Sequence, residues 1–72
     1  IVVFIEVKTR TNIAFGHPLE AITRDKAYRL QKLALAWLTV HHRWGFEYRI
    51  DAAAVLISKG EKFEIDYRIA VL

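Results

Sequence analysis

A mixed α/β sheet crossed on one face by a single helix is the architecture this sequence predicts, and three observations predict it. The chain starts with a β-branched and aromatic run, Ile1 to Ile5. From Thr23 its apolar residues recur with a helical period, and from Ala52 a second apolar run leads into a strictly alternating segment. Strand, crossover helix and strand imply a parallel pair with a right-handed connection, and a terminal hairpin adds an antiparallel strand.

The first element, I-V-V-F-I, shows no alternation, which predicts a strand buried on both faces in the middle of a sheet. Its end carries Glu6, Lys8 and Arg10 on one face and Val7 and Thr9 on the other, because strand side chains alternate. Thr11 to Pro18 contains Asn12, Gly16 and Pro18 and reads as a loop, after which Pro18 can start a helical turn over Leu19 to Ile22.

Thr23 is a candidate N-cap, and Asp25 suits the positive end of the helix that follows. Ala27, Leu30, Ala34, Trp37, Leu38 and His41 share one face, so a helix of roughly 18 residues should lay this stripe on the sheet. His41, His42 and Arg43 favour its C-terminal end, and Gly45 is placed to close it. Phe46 to Ile57 holds the second buried strand, and Ser58, Lys59, Gly60 and Glu61 form a turn. Beyond it Phe63, Ile65, Tyr67, Ile69 and Val71 should face one way, with Lys62, Glu64, Asp66 and Arg68 facing the other.

At 72 residues the chain is one domain, residues 1–72, and it carries no low-complexity or repeated segment. A core this small supplies only about 3 to 5 kcal/mol, and there is no cysteine with which to staple it. One helix covers one sheet face, so a second layer is expected from upstream residues or from a second copy that covers the open face as a homodimer. The chain also lacks an initiator methionine, which suggests that its N-terminal part is incomplete. The absence of cysteine fits a reducing, cytoplasmic setting, and the longest wholly apolar run is far too short to cross a membrane.

Two groups of residues carry chemistry. Glu6 and Lys8 end a buried apolar strand side by side, roughly 6 to 7 Å apart. A hard cation such as magnesium could take oxygens from Glu6 and the Val7 carbonyl, with Lys8 orienting a water or stabilising charge on a phosphate oxygen. The plainer reading of the same spacing is an ion pair at a sheet margin. The second group is basic: Arg24, Lys26, Arg29, Lys32, Arg43 and Arg49 face only Asp25 and Glu47 between Ile22 and Ile50, so the net charge of +3 is concentrated there. Lys26, Arg29 and Lys32 recur every three residues on the face expected to lie away from the apolar stripe. That spacing suits a phosphate backbone, with Arg10 holding a phosphate near Glu6 and Lys8, or else it is a solvated helix face.

Other chemistries have little support. His17, His41 and His42 lack zinc-site spacing, three glycines cannot make a phosphate loop, and a single serine with no cysteine argues against a nucleophile triad. Trp37 and Trp44 read as packing residues.

The stretch V-F-I-E-V-K-T-R at residues 3–10, F-G-H-P-L-E-A-I-T at 15–23, Lys26, Arg29-Leu30, Ala36-Trp37-Leu38 and Arg49-Ile50-Asp51 resembles the YraN-like family of uncharacterised bacterial proteins. That family is similar to the PD-(D/E)xK nuclease superfamily of restriction enzymes and Holliday-junction resolvases. The resemblance spans roughly residues 3 to 55 and implies a restriction endonuclease-like core that lacks its N-terminal helix and first strands. It places Glu6 and Lys8 as catalytic residues, Glu6 also as a metal ligand, with Mg2+ or Mn2+ bound only if an upstream acid is present. Asp51 or Glu20 are the alternative sources of that oxygen. The implied function is a metal-dependent endonuclease acting on nucleic acid, DNA rather than RNA, with Arg10, Arg24, Lys26, Arg29 and Lys32 holding the strand. The alternative is a nuclease fold kept as a non-catalytic nucleic-acid-binding or dimerisation module.

Overall fold

A computed structural model describes residues 1–11, 22–58 and 62–72. The loop and helical turn expected between Asn12 and Ala21, and residues 59–61 of the expected turn, lie outside them. The elements follow the order strand, helix, strand, strand: β1 (Val2–Arg10), α1 (Arg24–Val40), β2 (Tyr48–Ile57) and β3 (Phe63–Arg68). They build a three-stranded sheet of order β1-β2-β3 in which β1 and β2 run parallel and β2 and β3 antiparallel. The mixed α/β architecture expected from the sequence is therefore present.

β2 lies in the middle, and its residues Ile50 to Ala54 are all buried. β1, expected in the middle, instead pairs with β2 alone among the described strands. Its apolar residues are not covered on both faces: Ile5 is 51% and Val7 60% exposed. The reason is the one-sided layer. Helix α1 packs on the face that carries Phe4 and Glu6, where the Phe4 ring meets Trp37 edge-on at 5.5 Å and Tyr48 at 5.9 Å. Residues at odd positions of β1 point to the other face, as do Phe63 and Ile65 of β3, which are also exposed.

α1 forms where its capping residues allow. The Thr23 hydroxyl oxygen accepts the Lys26 N–H at 3.2 Å, which satisfies one of the orphan donors of the first turn. Ala34 and Leu38 are buried, Ala27 and Leu30 are half-buried, and His41 stacks on Trp37 at 4.1 Å, so the expected stripe does face the sheet. Closure of the helix differs from expectation. Arg43 N–H donates to the Leu38 carbonyl and His42 N–H to Thr39, the paired bonds of a Schellman motif, with His42 itself at φ 56°. Gly45, at φ 88°, belongs to the turn that follows.

The tail departs from its alternation too. Ala70 has φ 54°, which turns the backbone, and Val71 packs against Ala52 and Ala54 on the face opposite Tyr67. The Val71 N–H donates to the Ile50 carbonyl at 2.9 Å and fixes the turn. Ser58 and Lys62 bracket the β2–β3 connection, the Ser58 N–H donating to the Lys62 carbonyl at 2.8 Å.

A β-carbon is strained in the left-handed conformation that His42 adopts. His42→Gly is expected to raise the unfolding free energy by about 1 kcal/mol, read from urea denaturation.

Candidate functional site

Glu6 stands in the middle of β1, opposite Ala52 of β2, and Lys8 opposite Ala54. The small partners leave the charged side chains room on the face shared with the helix. Thr23 starts α1 so that Lys26, in its first turn, comes down onto that face, and its Nζ lies 3.0 Å from Oε1 of Glu6. Both side chains are largely covered, 17% exposed for Lys26 and 28% for Glu6.

Lys26 is thus not on the outer face where the three-residue spacing placed it. It precedes Leu30 and Ala34 by four and eight residues, so it extends the apolar stripe rather than opposing it. That spacing was the signal in the sequence that assigns Lys26 to the sheet side. Lys8 stands beside it. A hydrogen bond that the neutral Lys8 amine accepts from Lys26, and then the positive charge of Lys26, hold Lys8 below the ordinary lysine range, with burial and Arg10 adding in the same direction and Glu6 opposing. Lys26 keeps its proton more tightly, first through the bond to Lys8 and then, against burial, through Glu6.

The other basic residues do not join this cluster equally. Arg29 lines a cavity of about 280 Å³ together with Glu6, Lys26, Leu30 and Leu33. A neighbouring apolar cavity of about 310 Å³ shares Glu6, Leu30 and Leu33 and runs on to Phe4, Trp37 and Ile50. Arg24 and Lys32 are exposed, and Lys32 sits over the Tyr28 ring at 5.3 Å. Arg10 is exposed at the end of β1, with its guanidinium near the Thr9 carbonyl.

A hard cation takes oxygens from one or two carboxylates, with water and substrate supplying the rest. Here one carboxylate is engaged by an ammonium group, and no group of three or more metal-ligating side chains occurs among the described residues. Asp51, an alternative oxygen donor, is excluded by geometry: it pairs with Ile5 in register and so projects from the face opposite Glu6. Glu20 lies outside the described residues.

Asp51 has a different part. It is fully buried and accepts from Arg49 Nε at 3.0 Å, from the Ala70 N–H at 2.9 Å and from the Tyr67 hydroxyl. Burial alone would raise its carboxyl, but these three donors outweigh it and hold the group below the ordinary carboxylate range. The same bond pushes the Tyr67 hydroxyl up. Sequence reading offered Asp51 only as a metal ligand, because nothing in the sequence announces that the chain turns at Ala70.

The fold and cluster define a small mixed α/β domain with a lysine-rich charged site between strand and helix. Residues 2–55 match the Uncharacterised protein family UPF0102, and the chain belongs to that family. It is 48% identical over 65 residues to a UPF0102 protein of Beutenbergia cavernae, covering 90% of this chain and 55% of that protein. A UPF0102 protein of Renibacterium salmoninarum is 45% identical over the same shares of the two chains. One from Chloroherpeton thalassium is 39% identical over 62 residues, 86% of this chain and 48% of that protein. The chain therefore spans about half the length of the curated relatives it matches. No solved structure matches it. Among the described residues no helix is long and apolar enough to cross a membrane.

Because the folded-state value of Asp51 is depressed, its contribution to stability is complete above the unfolded value and is lost as pH falls through the folded one. Asp51→Asn should unfold at lower urea than the parent by a constant margin between about pH 5 and pH 7, and the two curves should converge below about pH 4. A margin that persists unchanged to low pH would contradict this role.

Proposed function

We propose that this chain forms part of a nucleic-acid-binding protein that hydrolyses phosphodiester bonds, with Glu6 and Lys8 at its reactive centre. The observation that supports this most is the grouping of Glu6, Lys8 and Lys26 on one sheet face, next to a cavity that Arg29 also lines. In such a hydrolysis water attacks phosphorus and the bond to the leaving oxygen breaks. The Lys8 amine can orient the water when neutral or, when protonated, stabilise charge on a phosphate oxygen. The similarity of Glu6-Val7-Lys8 to the second half of the PD-(D/E)xK motif supports the same reading, and Arg10, Arg24 and Lys32 would hold the strand farther out. Magnesium or manganese belongs to this proposal only if a further acid joins Glu6.

A second reading has its own support. Glu6 is neutralised by Lys26, and no group of three or more metal-ligating side chains occurs among the described residues, which favours a nuclease fold that binds nucleic acid without cutting it.

The two separate in one assay: cleavage of labelled duplex, single-stranded and four-way-junction DNA by the longest native form, with magnesium or manganese, beside its Lys8→Ala variant. Metal-dependent cutting that falls about 100-fold or more in the variant is the result expected of the first reading. Salt-sensitive binding with no cutting by either protein is the result expected of the second.

A further inference from the structure

We infer that Lys26 and Lys8, with Arg29 in the lining of the adjoining cavity, grip one phosphodiester of a nucleic-acid strand without a divalent cation. The inference rests on the nucleic-acid reading above and names the residues and the chemical group that make the contact.

The charge balance of the cluster carries it. Among the described residues Lys26 pairs with Glu6 while Lys8 stands on the same strand face, so two amines accompany one carboxylate at a place where Lys26 is only 17% exposed. Arg29 adds a positive charge at the cavity that Glu6 and Lys26 line. Like charges held together at a partly covered site are costly unless an anion completes them. A phosphodiester brings one negative charge and several acceptor oxygens, and it can draw the Lys26 ammonium from Glu6 without leaving it unpaired.

The walls point to the same ligand. Leu30 and Leu33 border the charged cavity and continue into the apolar one beside Trp37 and Phe4, so a phosphate at Lys26 would leave its sugar or base against apolar surface. The lower dielectric there strengthens each ionic contact. Lys32 and Arg24 have no such surroundings: both are exposed on the helix, where they would add only diffuse attraction.

The test is a titration of the longest native form, in EDTA, with a single-stranded tetranucleotide that lacks terminal phosphates. Lysine side-chain NMR signals and calorimetry give the readouts, and inorganic pyrophosphate provides a comparison ligand. The Lys8 and Lys26 signals should move while that of Lys32 stays nearly fixed. Lys26→Met should weaken binding about tenfold and Lys26→Arg less than about threefold, because a cation at that position is what the grip needs. Lys32→Met should weaken it less than about twofold.

Equal losses in Lys26→Met and Lys32→Met, binding only after magnesium is added, or binding of pyrophosphate but not the tetranucleotide would each overturn the proposal. Should Lys26→Met fail to fold, the side-chain signals of the parent protein decide the matter. Failure of the grip and failure of the hydrolytic reading stay distinct. Binding in EDTA by a protein that never cuts DNA removes the second alone, and cutting unaffected by Lys26→Met removes the first alone.

Discussion

The contact between Lys26 and Glu6 is the constraint on which the site depends. At 3.0 Å it joins the middle of β1 to the first turn of α1, two segments separated in sequence by a connection of more than a dozen residues. A carboxylate placed midway along a strand and half-covered by a helix has to be paired, because covering a lone charge is expensive. Pairing it from the helix sets where α1 lies along the sheet. That placement brings Lys26 beside Lys8 and opens the cavity that Arg29 and the leucines line.

A second polar contact serves the opposite face. Asp51 gathers Arg49, Tyr67 and the Ala70 N–H, and so ties β3 and the turn after it to the central strand. The two carboxylates sit at neighbouring positions of the register, Ile5 with Asp51 and Glu6 with Ala52, yet project to opposite sides of the sheet. Their chemistry diverges accordingly. Asp51 is saturated with donors and structural, whereas Glu6 is held by a single ammonium from the helix, with Lys8 on the same strand face. The face around Asp51 also carries the exposed Ile5, Val7, Phe63 and Ile65, an apolar surface that calls for a covering layer.

Much of the fold was legible in the sequence because period and capping are local properties. The 3.6-residue stripe and Thr23 placed α1, which runs for 17 residues, and the apolar run from Ala52 placed the central strand. What the sequence did not disclose were matters of context. Five consecutive apolar residues say that both faces of a strand suit a core, but not which covering layers lie within the chain, so they predict a middle position for β1, which among the described strands pairs with β2 alone. The turn at Ala70 is hidden because alanine does not announce a positive φ, and His42 competes with Gly45, further along the chain, as the position that closes the helix although histidine adopts a positive φ more readily than most residues. Of the site, Glu6 and Lys8 were visible from alternation alone. Lys26 belongs to two spacings at once, three residues from Arg29 and four from Leu30, and only the second of them points it at the sheet.

The central claim, that the ion pair between β1 and α1 sets the helix on the sheet, is tested most directly by a double-mutant cycle. Urea unfolding of the parent, Glu6→Gln, Lys26→Met and the double variant would give the coupling between the two side chains. A coupling of about 1 kcal/mol is predicted, with each single variant less stable than the parent. A coupling indistinguishable from zero would contradict the account, because Glu6 and Lys26 would then lie together without holding each other.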